Sequence, residues 1–222
     1  MEHQHNLDYI NQILEKVGSL LKRKVTAYHI GGNAMCVLAI KATTKDTDLI
    51  LLTEDEIHTF RTSLLDAGFM EVEIVNQEYV GLDAFAMFEE KAEGYINEPI
   101  IPRMRVDLFL KRVCHRLTLS EGMISRSADY LRFGNLQNRI CSKEDIFLFK
   151  ALAGRPRDIE DMYRLARFGF NWSAVEGEIE YQKKNLKTDD FEALGRSLEA
   201  LNTAYGVSTP PTITKKLSKI LK

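Results

Sequence analysis

Cysteine is scarce: the chain of 222 residues holds three, Cys36, Cys114 and Cys141, odd in number, far apart and without a CxxC pair. Neither a disulfide framework nor a zinc site is suggested by that spacing, and the three read as small apolar fillers. Long hydrophobic runs are missing too. Nothing approaches the roughly 18 consecutive apolar residues of a membrane helix, so no membrane partner is expected. The N-terminal MEHQHNLDY lacks the charged-then-apolar order of a secretory signal, and a cytoplasmic protein is expected. There is no internal repeat, no low-complexity tract and no nucleophile, base and orienter set of the hydrolase kind, so covalent catalysis is not expected. Charge of one sign is not in excess either. A net charge of -2 gives no global attraction to nucleic acid.

What is present is ordinary globular material, 45% hydrophobic and 28% charged, in a length that divides most naturally into two modest domains. LDYINQILEKVGSLLKRK (Leu7 to Lys24) has helical apolar spacing. VTAYHI reads as a strand, broken at Gly31-Gly32 before a helix over NAMCVLAIKA. TDLILL is a continuous strand-length run. A helix from Thr53 as N-cap to Gly68 follows, and then the alternating MEVEIV. Asn76 to Pro102 cannot be assigned to elements. MRVDLFL (Met104 to Leu110) is strand-like, and one or two strands are expected before Ile140.

From Ser142 the texture becomes consecutive helices. Ser142 and Gly154 bound the first, Pro156 opens the second, and others are expected over 173–186, 188–205 and 213–221. The fold class is therefore α+β, with a mixed sheet flanked by helices in residues 1–140 and a helical domain in 141–222. Basic residues cluster at Arg103, Arg105, Lys111, Arg112 and Arg116, and again in the lysine-rich tail. Such clusters are usually solvated faces, with nucleic-acid contact as the alternative. The five histidines show no ligand spacing, and Trp172 is expected to pack between helices.

The chemistry concentrates at Asp46 and Asp48. Strand alternation turns both to one face, and neighbouring carboxylates resist full ionisation unless a cation lies between them. Oxygen ligands suit Mg2+ or Mn2+. Asp107, an acid inside an apolar run, is the natural third ligand; its alternative is a structural ion pair with Arg105 or Lys111. Gly31-Gly32, between strand and helix, leaves room for a phosphate chain at the helix start. A phosphate cradle facing a carboxylate-metal cluster describes nucleotidyl transfer.

Gly31-Gly32, then Asp46-Thr47-Asp48, then Asp107 on a later strand resembles the nucleotidyltransferase superfold shared by DNA polymerase β and the aminoglycoside nucleotidyltransferases. KALAGRPRDIED adds a resemblance to AbiEii-type toxin nucleotidyltransferases at Lys150, Arg155, Arg157, Asp158 and Asp161. These motifs span residues 31 to 161. The resemblance implies metal binding by Asp46, Asp48 and Asp107, with Asp107 also activating the acceptor. It implies that Gly31, Gly32, Lys150, Arg155 and Arg157 hold an NTP, with Asp158 supporting them. Implied acceptors are RNA or tRNA ends, proteins and small molecules, and an antitoxin is an implied partner. Gly32 stands where many relatives have serine, so one hydroxyl contact to phosphate is missing. From the residues alone, Lys150 could instead lay its stem along its helix, and Asp161 could pair with Arg157 or Arg164. The alternative to an enzyme is a scaffold that kept the fold and lost turnover.

Overall fold

The computed structural model describes residues 5–73, 84–91, 104–114, 116–167 and 169–221. The elements run α1 (Leu7–Leu20), β1 (Val25–Ile30), α2 (Gly31–Val37), β2 (Asp46–Leu51), α3 (Glu54–Asp66), β3 (Phe69–Val72), β4 (Ala86–Glu90) and β5 (Arg105–Leu110). They continue with β6 (Arg112–Val113), β7 (Leu117–Thr118), α4 (Glu121–Arg126), β8 (Ala128–Phe133), β9 (Leu136–Ile140), α5 (Lys143–Ala153), α6 (Pro156–Ala166), α7 (Trp172–Gln182), α8 (Thr188–Tyr205) and α9 (Pro211–Ile220). Among the described residues no helix is long and apolar enough to cross a membrane.

The architecture is α+β, in two compact units: Met1–Lys111 with Ser127–Cys141, and Arg112–Arg126 with Ser142–Lys222. Sequence texture places one division after residue 140. In the structure Arg112–Arg126 goes with the helical unit.

Most elements fall where local chemistry puts them. Thr53 caps α3 in a full capping box with Glu56, Ser142 caps α5 through the Asp145 N–H, and Gly154 ends α5 in the left-handed region at φ 63°. Several bounds differ from expectation: α7 ends at Gln182 and α9 begins at Pro211, and four strands, β6 to β9, stand where one or two were expected. α1 stops at Leu20 because Leu21 is already extended, and α2 begins at the glycines and ends at Val37, short of Ala39 at φ 57°. α4 has no forecast, since six residues carry too little periodicity to read. Ile74 and Val75 at the end of MEVEIV, Arg103, His3 and His115 lie outside the described residues, as does most of Asn76 to Pro102, of which β4 is described.

The first unit is built on a seven-stranded mixed sheet, in the order β3-β4-β5-β2-β1-β9-β8. β2 lies at its centre, parallel to β5 and antiparallel to β1. One face is apolar. Leu49 and Leu51 of β2 and Val106 and Leu108 of β5 pack there with Ile10, Leu14 and Val17 of α1 and Ile57, Phe60 and Leu64 of α3. The residues that alternate with these positions along β2 and β5 therefore face the other way. They include the three acids.

The second unit is helical, with a two-stranded ladder of β6 and β7. Phe147 of α5 meets Trp172 edge-on at 5.4 Å between ring centroids, so the tryptophan packs between helices as its place in the sequence predicts. Arg126 pins α4 to α5 and α7 through Asp145 and Glu178, each at 2.6 Å. The three cysteines are buried and form no disulfide among the described residues.

Candidate active site

Register decides what the acids do. β2 and β5 run parallel with Asp46 beside Arg105 and Asp48 beside Asp107. Directly paired residues share a face, so Asp46, Asp48, Arg105 and Asp107 form a two-by-two block on the side of the sheet away from α1 and α3. Three are acids and one is a cation. The block is two charges negative when all four are ionised.

Arg105 sits between two of the acids. Its Nη2 donates to Asp46 Oδ2 at 2.5 Å, and its Nε lies 3.0 Å from Asp107 Oδ1. The second contact is an ion pair without hydrogen-bond alignment, and Asp107 Oδ1 is buried with no hydrogen-bond partner. Asp107 is only 1% exposed. Burial, then the neighbouring Asp48 carboxylate, hold its pKa well above the ordinary aspartate range, with Arg105 pulling the other way. Of the alternatives open in sequence, Asp107 does pair with Arg105. It does so on a strand inside the sheet and buried, where a charge pair is not the weak surface bridge of a strand edge.

The structure also shows an acid that sequence reading missed. Glu89 of β4 is paired directly with Arg105 from the other side, so one row across three strands reads Glu89, Arg105, Asp46. Glu89 lies in the stretch that sequence left unassigned, and only the antiparallel β4–β5 register puts it here.

The glycines serve the acids as well as any phosphate. Gly31 has φ +63°, and a Cβ on it would overlap Asp48 Oδ2. The missing side chain thus lets a carboxylate lie against the turn. A Cβ on Gly32 would overlap Thr44 Oγ1, so the space beside Gly32, where many resembling sequences have serine, already holds a hydroxyl. On the apolar side, Asn33 Nδ2 donates to His29 Nδ1 at 2.7 Å and His29 Nε2 donates to Asn138 Oδ1 at 2.8 Å. Asn138 Nδ2 in turn donates to the Leu131 carbonyl at 2.9 Å. This chain requires the neutral imidazole, and burial lowers the His29 pKa to about 4. His29 is a fully buried core residue that ties the first turn of α2 to β9.

The residues fit a hard divalent ion by their chemistry: three carboxylates on one face, one with a buried oxygen that accepts no aligned hydrogen bond. They are not gathered around a common point, and among the described residues no three of His, Cys, Asp and Glu stand in metal-holding geometry. Arg105 occupies the place between Asp46 and Asp107 that a cation would take.

The second motif assembles in the helical unit. Lys150 Nζ lies 2.9 Å from both Asp158 Oδ1 and Asp161 Oδ2, and Arg155 Nε lies 2.6 Å from Asp158 Oδ2. Arg155 and Asp158 also close the start of α6, with the Arg155 N–H donating to Asp158 Oδ2. Burial alone would lower the Lys150 pKa, yet the two aspartates outweigh it and raise it. Burial would raise Asp158, and Lys150 with Arg155 instead holds it below the usual range. Lys150 is buried, so its stem does not simply lie along the helix surface, and Asp161 pairs with Lys150 while Arg164 pairs with Glu160. Arg157, on the first turn of α6, carries the remaining positive charge of the motif.

No protein-family model matches the sequence, and no curated protein matches it. Among solved structures the chain is similar to an antigenic nucleotidyltransferase-like protein from Paracoccidioides brasiliensis, at 16% identity and a TM-score of 0.53. That match covers 99% of this chain and 94% of the other. A protein from H. pylori assigned to the nucleotidyltransferases matches at 13% identity and a TM-score of 0.45, covering 97% of this chain and 94% of its own. The fold of this chain is nucleotidyltransferase-like.

Proposed function

We propose that this chain is a cytoplasmic, metal-dependent nucleotidyltransferase that moves a nucleoside monophosphate from an NTP to a hydroxyl on RNA, tRNA, a protein or a small molecule. The observation that carries the reading is the β2–β5 register, which sets Asp46, Asp48 and Asp107 on one face of the sheet, with the Asp48 carboxylate against the left-handed Gly31 turn. Asp46 and Asp48 hold Mg2+ or Mn2+, and Asp107 completes the set. When bound, the ion supplies Lewis-acid neutralisation of the phosphate charge. Asp107, as the ionised carboxylate, would take the proton of the acceptor hydroxyl. Gly31 and Gly32, which carry no side chain at the strand-to-helix turn, are the residues this reading assigns to the phosphate chain. In the helical unit taken by itself, Lys150, Arg155 and Arg157 supply positive charge, and Asp158 orients the first two.

A second reading, a nucleotide-binding or protein-interaction scaffold that pairs with an antitoxin, is favoured by one observation: Arg105 already neutralises Asp46 and Asp107. One experiment separates the two. Each of the four α-labelled NTPs is offered with Mg2+ or Mn2+ and an extract of total RNA and protein, to wild type and to Asp46→Ala/Asp48→Ala. The enzyme transfers label that the variant does not. Calorimetric NTP binding without any transfer supports the scaffold, and absence of both binding and transfer overturns the nucleotide reading.

A further inference from the structure

The block of four on β2 and β5 holds a cation of its own, and the sheet offers that cation a second seat. Arg105 is bound to Asp46 and Asp107 on one side. On its other side Glu89 is its direct cross-strand partner, which places the two Cβ atoms about 5 Å apart, well within reach of an arginine. Glu89 faces away from the α1 side, since its neighbour Glu90 is the one that accepts from the Tyr9 hydroxyl of α1. An arginine flanked by acids on both neighbouring strands is within reach of two salt-bridged positions. Only one of them leaves Asp46 and Asp107 open.

We propose that Arg105 is an internal counter-ion that toggles between two seats, Asp46 with Asp107 when no divalent ion is bound, and Glu89 when one is. This rests on the metal reading of the three aspartates and adds what sets their affinity. In the first seat the guanidinium neutralises buried carboxylates that would otherwise repel. A divalent ion cannot share that space, so it binds only the fraction of molecules in which Arg105 has moved. If that fraction is a tenth or less, the apparent affinity is lowered by about tenfold or more. Glu89 reduces this cost because it receives the displaced charge. Arg105 and Glu89 are thus positioning residues, and they act on affinity in opposite directions.

The test is Mn2+ binding to the full chain at pH 8, read as free Mn2+ by electron paramagnetic resonance, with no nucleotide and no turnover. Arg105→Gln is expected to bind Mn2+ about tenfold tighter than wild type, and Glu89→Gln more weakly. In the double variant Glu89→Gln is expected to have no further effect, because its only action is through Arg105. A Glu89→Gln loss that persists without Arg105 makes Glu89 a ligand and overturns the toggle. Weaker binding in Arg105→Gln makes the arginine a brace for the carboxylates and likewise overturns it. Arg105→Lys, which keeps the charge but cannot bridge two carboxylates with one fork, carries the same test if the glutamine variant does not fold. It is expected to bind tighter than wild type, and equal or weaker binding overturns the proposal. If wild type binds Mn2+ and Asp46→Asn/Asp48→Asn does not, the metal reading stands whatever the arginine does. If neither binds, both fall together.

Discussion

Gly31 shows how much one absent methyl group does. Its backbone is left-handed and a Cβ would overlap Asp48 Oδ2, so two separate costs attach to Gly31→Ala. The backbone term is about 1–2 kcal/mol, and the collision comes on top of it. Urea unfolding is expected to show Gly31→Ala destabilised by more than about 2 kcal/mol, with part of that loss recovered in the Asp48→Gly background, where only backbone strain remains. Equal losses in both backgrounds would show that the carboxylate does not lie against the turn. The aspartates themselves were legible because strand alternation is local to the sequence. The seat of Arg105 was not, because it depends on which residue of β5 lies beside Asp46.

At the scale of elements, the start of α6 and the body of α5 are joined by buried charge. Lys150 meets Asp158 and Asp161, and Arg155 meets Asp158. Lys150→Met leaves two buried aspartates short of a cation, a change that costs about 3–5 kcal/mol in buried pairs. Unfolding by urea should therefore show a large loss, and Lys150→Met/Asp158→Asn/Asp161→Asn should regain most of it. A loss within about 0.5 kcal/mol, the range of ordinary surface changes, would mean that the lysine's charge does not hold α5 to α6. The caps of these helices could be read directly, since Ser142, Gly154 and Pro156 act on backbone groups within a few residues. The pairing of Lys150 needed two helices brought together. Their hydrophobic spacing alone does not say which polar groups meet.

For the molecule as a whole, His29 gives stability a dependence on acid. Its folded pKa is about 4, below the 6.5 of the unfolded chain. Between those values the unfolded state binds more protons, so stability is full above about pH 6.5 and is lost as pH falls toward 4. The gap corresponds to about 3 kcal/mol. Urea midpoints measured from pH 7.5 to 4.5 should fall steeply for wild type and less for His29→Gln, and parallel curves would show that another group controls the acid limb. The sequence by itself determined most of the elements, though not α4 or β4, with their caps and the order of glycines and acids, because helix and strand periods and capping bonds are set by residues a few positions apart. Tertiary structure alone decided the strand register, and with it the Arg105 bridge, the arrival of Glu89 beside it and the placing of Asp48 against Gly31. Those contacts join residues far apart in the chain, whose meeting depends on how strands pair and not on any local pattern.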